Sequence, residues 1–166
     1  SDGDYTTLNN FIPTFVIEVV NDSELETVYG CTDNGATNYD LEATINDDSC
    51  VWTHVINLGP GWNLFSTYIN PIQDDIIELF SGIIDSVVIV KNNSGIAYLP
   101  EWGFNGIGNI VYSDGYQVKT IGQLDFLIMG VPILPEENPL LLTAGWNMIS
   151  YLRIPSADAS LVFESI

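Results

Sequence analysis

Between Cys31 and Cys50, the only two cysteines of the chain, Asp33, Asn38, Asp40, Asp47 and Asp48 stand out as oxygen donors. No lysine or arginine stands among them. Hard divalent cations such as calcium take six to eight oxygen ligands, and this segment offers carboxylates, an amide and the carbonyls near Tyr39 and Ile45. Calcium is therefore the expected ion. The spacing is not that of an EF-hand, which needs alternating acids, a central glycine and a terminal glutamate. The plainer alternative is a solvated loop whose Asn and Asp side chains only make turns. Zinc is a poor match, because two cysteines alone do not complete a four-ligand site. A disulfide between Cys31 and Cys50 would restrict the unfolded loop by roughly 3 kcal/mol on the chain-entropy model.

Catalytic chemistry finds little to work with. The single histidine, His54, falls in a strand pattern with no nucleophile or acid beside it in sequence. A nucleophilic triad needs such partners. A glycosidase needs two placed carboxylates, and nothing singles out a pair among the 22 acids. Gly103 to Gly108 imitates a phosphate loop but lacks a lysine and a strand-loop-helix context. Tyr98, Trp102 and Phe104 could stack on a sugar ring, although such aromatics more often fill a core.

The elements that must position these residues are read from a repeat. Gly61-Trp62-Asn63-Leu64-Phe65-Ser66 returns as Gly145-Trp146-Asn147-Met148-Ile149-Ser150. Pro71 answers Pro155, Asp74 answers Asp158, and both copies run into apolar stretches, 76–80 and 161–163. A turn, a strand, a proline stop and a short capped helix fit this order. The pattern predicts neighbouring strands with Trp62 and Trp146 buried, closing one domain from its two ends. Ile76, Ile77 and Phe80 are expected to face the core.

Further strands are predicted at 51–58, 87–90, 96–99, 116–119 and 124–129, the last beside its predecessor, with a hairpin turn at Asn92–Gly95. Phe11 to Val20 reads as another strand. The fold class is mainly β: an antiparallel β domain with two short helices, preceded by a small disulfide-closed loop module. The divisions are 1–28 (N-terminal strand and linker), 29–52 (the acidic calcium loop) and 53–166 (the β domain with the duplicated unit).

Composition sets the setting. The formal net charge is -19, with three basic residues, Lys91, Lys119 and Arg153. Such a surface repels nucleic acid and anionic membranes. No apolar run reaches the ~18 residues a membrane helix needs, so no membrane insertion is expected. Eleven of the 22 acids lie in residues 1–50, which hold no basic residue, and this asymmetry marks a boundary. Ser1-Asp2-Gly3-Asp4 reads as a processed end.

Tyr29 to Trp52 resembles an acidic cysteine-loop repeat of large secreted and surface proteins of marine bacteria. The motifs that carry this are Gly30-Cys31-Thr32-Asp33, Ala36-Thr37-Asn38-Tyr39, Ala43-Thr44, Asp47-Asp48 and Ser49-Cys50. Asn34 departs from a usual proline, and Asp48 from a frequent glycine. Ile56 to Ile166 is similar to a recurrent module of the same protein class, through its two Gly-Trp-Asn segments, Gly115–Lys119 and Asn105–Gly108. The resemblance implies a disulfide, an extracellular or cell-surface location in a cation-rich setting, and a modular parent. The function expected is a non-enzymatic structural or adhesive module with a calcium-stabilised loop. Its partners would be neighbouring modules of the same polypeptide and a surface glycan or protein. The alternative is a carbohydrate-binding module using the aromatics around Tyr98–Phe104.

Overall fold

The computed structural model describes residues 26–164, so the strand expected at Phe11–Val20 lies outside the described residues. The described chain is mainly β, with antiparallel sheets and two short helices. Two strand fragments, β1 (Tyr29–Gly30) and β2 (Ile45–Asn46), pair in parallel within the acidic loop. The β domain follows. β3 (Trp52–Leu58), β4 (Gly61–Phe65) and β5 (Ile69–Pro71) lead into helix α1 (Ile76–Phe80) and a 3-10 turn, Ser81–Ser86. β6 (Val87–Lys91) and β7 (Ala97–Leu99) form the predicted hairpin, with Asn92 accepting from the amides of Ser94 and Ile96. A second 3-10 turn, Pro100–Trp102, precedes β8 (Phe104–Asn105), and β9 (Tyr116–Thr120) and β10 (Leu124–Pro132) follow. Helix α2 (Ala159–Val162) comes last.

Beyond the β1–β2 pair, the strands form two sheets, β3-β10-β5 and β4-β9-β6-β7-β8. β10 does not pair with β9, as its position in sequence suggested. It crosses to the other sheet and lies between β3 and β5. Only three residues, Ile121 to Gln123, separate the end of β9 from the start of β10, yet this short connection changes sheets. The clean alternation of β10 explains where it goes: Phe126, Ile128 and Gly130 point inward, while Asp125, Leu127, Met129 and Val131 point out. Leu58, Phe126 and Ile128 from one sheet meet Phe65, Val90, Tyr98, Tyr116 and Val118 from the other in one core cluster.

Helix α1 is too short to hold itself in water. Asp75 caps it by accepting from the amides of Ile77 and Glu78, and Ile76 and Phe80 are fully buried. Asp75, not Asp74, is thus the counterpart of Asp158, which caps α2 through the Ser160 amide. Ile77 is exposed, contrary to expectation, because a five-residue helix presents only one turn to the core.

The duplicated segment does not form neighbouring buried strands. Trp62 is 54% exposed and Trp146 fully exposed. The first copy is strand β4, paired with β9. The second is not a strand; it touches the residues before β9 through an isolated bridge, Asp114 to Ile149. What the copies share is a turn. Asn63 accepts from the Gly59 amide and donates to the carbonyls of Gly59 and Gly61. Asn147 does the same with Thr143 and Gly145. Gly61 and Gly145 have φ of 94° and 104°, a region that glycine occupies without strain. The motif therefore encodes an Asn-clamped glycine turn, and its tryptophan points outward.

Denaturant unfolding should separate the two kinds of aromatic. Phe80→Ala or Phe126→Ala is expected to cost about 3–5 kcal/mol, as for a filled core site. Trp62→Ala and Trp146→Ala are expected to cost under about 1 kcal/mol, as surface substitutions do. Equal losses at Trp146 and Phe80 would show that the second tryptophan is part of a core.

Candidate functional site

The acidic loop is built around its disulfide. Cys31 and Cys50 are bonded, with Cα atoms 4.7 Å apart. Both are buried, and with Ala36 they make a small core of their own. Trp52 packs against this core and also against the main one, so a single indole joins the loop to the β domain. Polar bonds reinforce the joint. The Thr37 amide donates to the Val51 carbonyl at 2.7 Å, and the hydroxyls of Thr37 and Thr53 lie 2.9 Å apart. Asn38 spans the loop, donating to the Ser49 carbonyl and accepting from the Val51 amide, each at 2.7 Å.

The expected calcium donors sit on turns. Asp33 accepts from the Gly35 amide, Asp40 from the Glu42 amide and Asp47 from the Ser49 amide, each two residues ahead. These are side-chain-closed turns of the kind Asp and Asn favour. Bonding from the Ser49 side chain and amide holds the Asp47 carboxyl below its ordinary range. Asp48 takes a positive φ of 62°, and its amide donates to Asn46. Among the described residues no three acidic, histidine or cysteine groups stand close enough to hold an ion. The arrangement is a chain of turns, with Asn38 committed at both ends, rather than an assembled cation cage. Asp33 and Asp40 each accept their bond on one carboxylate oxygen.

The aromatic candidates divide. Tyr98 is 2% exposed and packs in the core near Phe80, with ring centroids 6.4 Å apart, so it cannot face a ligand. Burial raises its phenol above the ordinary range. Trp102 and Phe104 are exposed. Sequence reasoning missed the rest of their surroundings. On the outer face of the five-stranded sheet, Trp62 stands opposite Lys119 across β4 and β9. Gln117, on the same face, stands opposite Lys91, and Lys91 opposite Ala97 on β7. Phe104 on β8 stands opposite Leu99 on that face. The Lys91 ammonium lies 5.4 Å from the Trp62 ring, a cation–π distance. Two of the three cations and two exposed aromatics thus share one sheet face. The signal available in sequence was the alternation of β4, where Trp62 and Leu64 must face away from Phe65.

His54 has no acid beside it. Its Nδ1 lies 3.3 Å from the Thr67 hydroxyl, and its ring packs on Tyr68 at 4.3 Å. Burial pushes its pKa below the ordinary histidine value. The arrangement packs an imidazole between strands and offers no oriented base.

Comparison of the chain with protein-family models, with characterised proteins and with solved structures finds no match.

The His54 environment has a pH signature. The folded state holds this histidine neutral, while the unfolded state protonates it near its ordinary value of about 6.5. As pH falls below that value the unfolded chain takes up the proton first, so His54 removes stability until the folded pKa is reached. Thermal melts between pH 7.5 and 5 should therefore show a smaller acid-side decline in His54→Gln than in the parent. Parallel curves would mean that His54 titrates alike in both states.

Proposed function

We propose that this chain is a non-enzymatic extracellular module with a structural or adhesive role in a larger secreted or surface protein. The observation that carries the reading is the acidic loop closed by a disulfide and joined to the β domain through Trp52. Structural disulfides persist in oxidising compartments, which favours a location outside the cell. No described helix is long and apolar enough to cross a membrane. The duplicated turn-and-cap unit and the resemblance of both segments to repeats of modular surface proteins favour a role beside neighbouring modules.

Calcium enters the proposal as a loose ligand of the carboxylates of Asp33, Asp40 and Asp47. The disulfide and turns hold the loop in shape, and the ion would relieve repulsion between carboxylates in a chain of net charge -19. Extracellular sites of this kind bind in the millimolar range, so millimolar calcium would add on the order of 1 kcal/mol.

A second reading has its own support. The sheet face with Trp62 and Phe104 exposes two aromatic rings and carries Lys91 and Lys119, two of the three basic residues of the chain. Stacking rings beside cations suits a glycan that carries acidic groups.

Protease cleavage between Asn34 and Asp47 tests the first reading. Reduction of the disulfide should speed cleavage by about a hundredfold, given the roughly 3 kcal/mol assigned to loop closure. A chelator should speed it by about fivefold relative to millimolar calcium. An unchanged rate with chelator removes calcium from the proposal, and an unchanged rate on reduction removes the structural role of the bridge.

Glycan-array binding tests the second. Binding of uronic or sulfated glycans that is lost in Trp62→Ala and Lys119→Ala, with folding intact, would make the module a glycan reader. Absence of binding to any such glycan leaves the sheet face as a plain solvent surface.

A further inference from the structure

The two copies of the turn-and-cap unit share local geometry but differ in what covers them. Positions can be matched from the two anchors, the clamping asparagine and the capping aspartate. Leu58 lies five residues before Asn63, as Leu142 does before Asn147. Phe80 lies five residues after Asp75, as Phe163 does after Asp158. Leu58 and Phe80 are 1% and 0% exposed, whereas Leu142 and Phe163 are 42% and 46% exposed.

The difference has an identifiable cause. The first unit is covered by strands that follow it. Phe126 of β10 stacks on Phe80 at 4.4 Å between centroids, Tyr116 of β9 stacks on Phe65 at 5.4 Å, and Leu124 lies opposite Leu58. These strands are occupied by the first unit. No described residue performs the same office for the second. There the structure has an open apolar groove of about 730 Å³, lined by Leu140, Leu142, Ile149, Leu152, Val162 and Phe163.

We propose that this groove is a docking surface for the strand half of a further module of the same type. The occupant is an antiparallel strand set with inward aromatic rings, of the kind that β6 to β10 supply to the first unit. The argument rests on the first copy, where the matching apolar positions are covered by that chemistry. A second folded copy of this chain does not qualify, because its own strands already cover its own first unit. The proposal deepens the modular reading above and is independent of calcium and glycan binding.

The test extends the chain. Residues 1–163 are followed directly by a second copy of residues 81–139, and amide hydrogen exchange is compared with the parent protein. The amides of 142–152 and 160–163 should exchange at least tenfold more slowly in the extended chain. Phe163→Ser in the extended chain should return them to the parent rate and leave the protection of β3 and β10 unchanged. No slowing on extension overturns the proposal. Sedimentation of the parent provides the second arm: a monomer is expected. A concentration-dependent dimer abolished by Phe163→Ser would assign the groove to a second copy and overturn the proposal. Either failure leaves the cleavage results on the disulfide loop untouched, so this inference and the structural role of that loop can fail separately.

Discussion

Stacking of Phe80 on Phe126 is the contact on which the β domain depends. It brings a helix of five residues against the middle strand of the smaller sheet, at 4.4 Å between ring centroids. Phe65 stands edge-on to both rings and stacks in turn on Tyr116, so the larger sheet is tied to the same cluster. Neither sheet is large enough to bury a face alone, and the helix is far below the length that is stable in isolation. Each is stabilised through the rings it shares with the others. β10 must run close to β5 to keep this arrangement. At Gly130 a Cβ would collide with the carbonyl of Asn70 and with Ile69, so only glycine permits the approach.

Local chemistry was legible in the sequence where local chemistry decides the outcome. The hairpin at Asn92–Gly95, the location of strands β3, β6, β7 and β9 and the pairing of the two cysteines follow from turn residues, alternation and count. Partner choice was not legible. β9 and β10 are adjacent in sequence and would make an ordinary hairpin, yet they belong to different sheets. The decision is made by Phe126 and Ile128, whose inward face matches Leu58 and Phe80 rather than an extension of the larger sheet. The side of a strand that faces inward was misread in the same way. The repeat was read as a pair of half-buried strands with Trp62 inside, but the alternation places it with Leu64 on the outer face and buries Phe65. Of the aromatics grouped as a stacking set or core, Tyr98 is core, because its own strand turns it in, while Trp102 and Phe104 are exposed.

The acidic loop shows how a charged segment is held without much apolar matter. Its small core contains only the two half-cystines and Ala36, with Trp52 leaning on them. Asp33, Asp40 and Asp47 each turn back on an amide two residues ahead, which satisfies one oxygen and spaces the charges along the loop. The sequence offered these residues both as ligands of an ion and as turn formers; in the fold one oxygen of each accepts from the backbone.

The same asparagine and glycine code is written twice and leads to two different degrees of burial, which locates the information that the code lacks. Asn63 and Asn147 make matching hydrogen bonds, and Asp75 and Asp158 both cap. Backbone shape is therefore set within each segment. Burial is not, because Phe80 and Phe163 stand at the same distance from their caps and only the first meets Tyr98 and Phe126. A turn and a cap fix where an apolar side chain emerges, each contributing on the order of 1 kcal/mol. Removing the side chain from water contributes more, roughly 1.5–3 kcal/mol for a full side chain, and requires partners from elsewhere. The turn-and-cap unit is thus a shape that presents an apolar face, and its stability depends on the strands that come to lie on it.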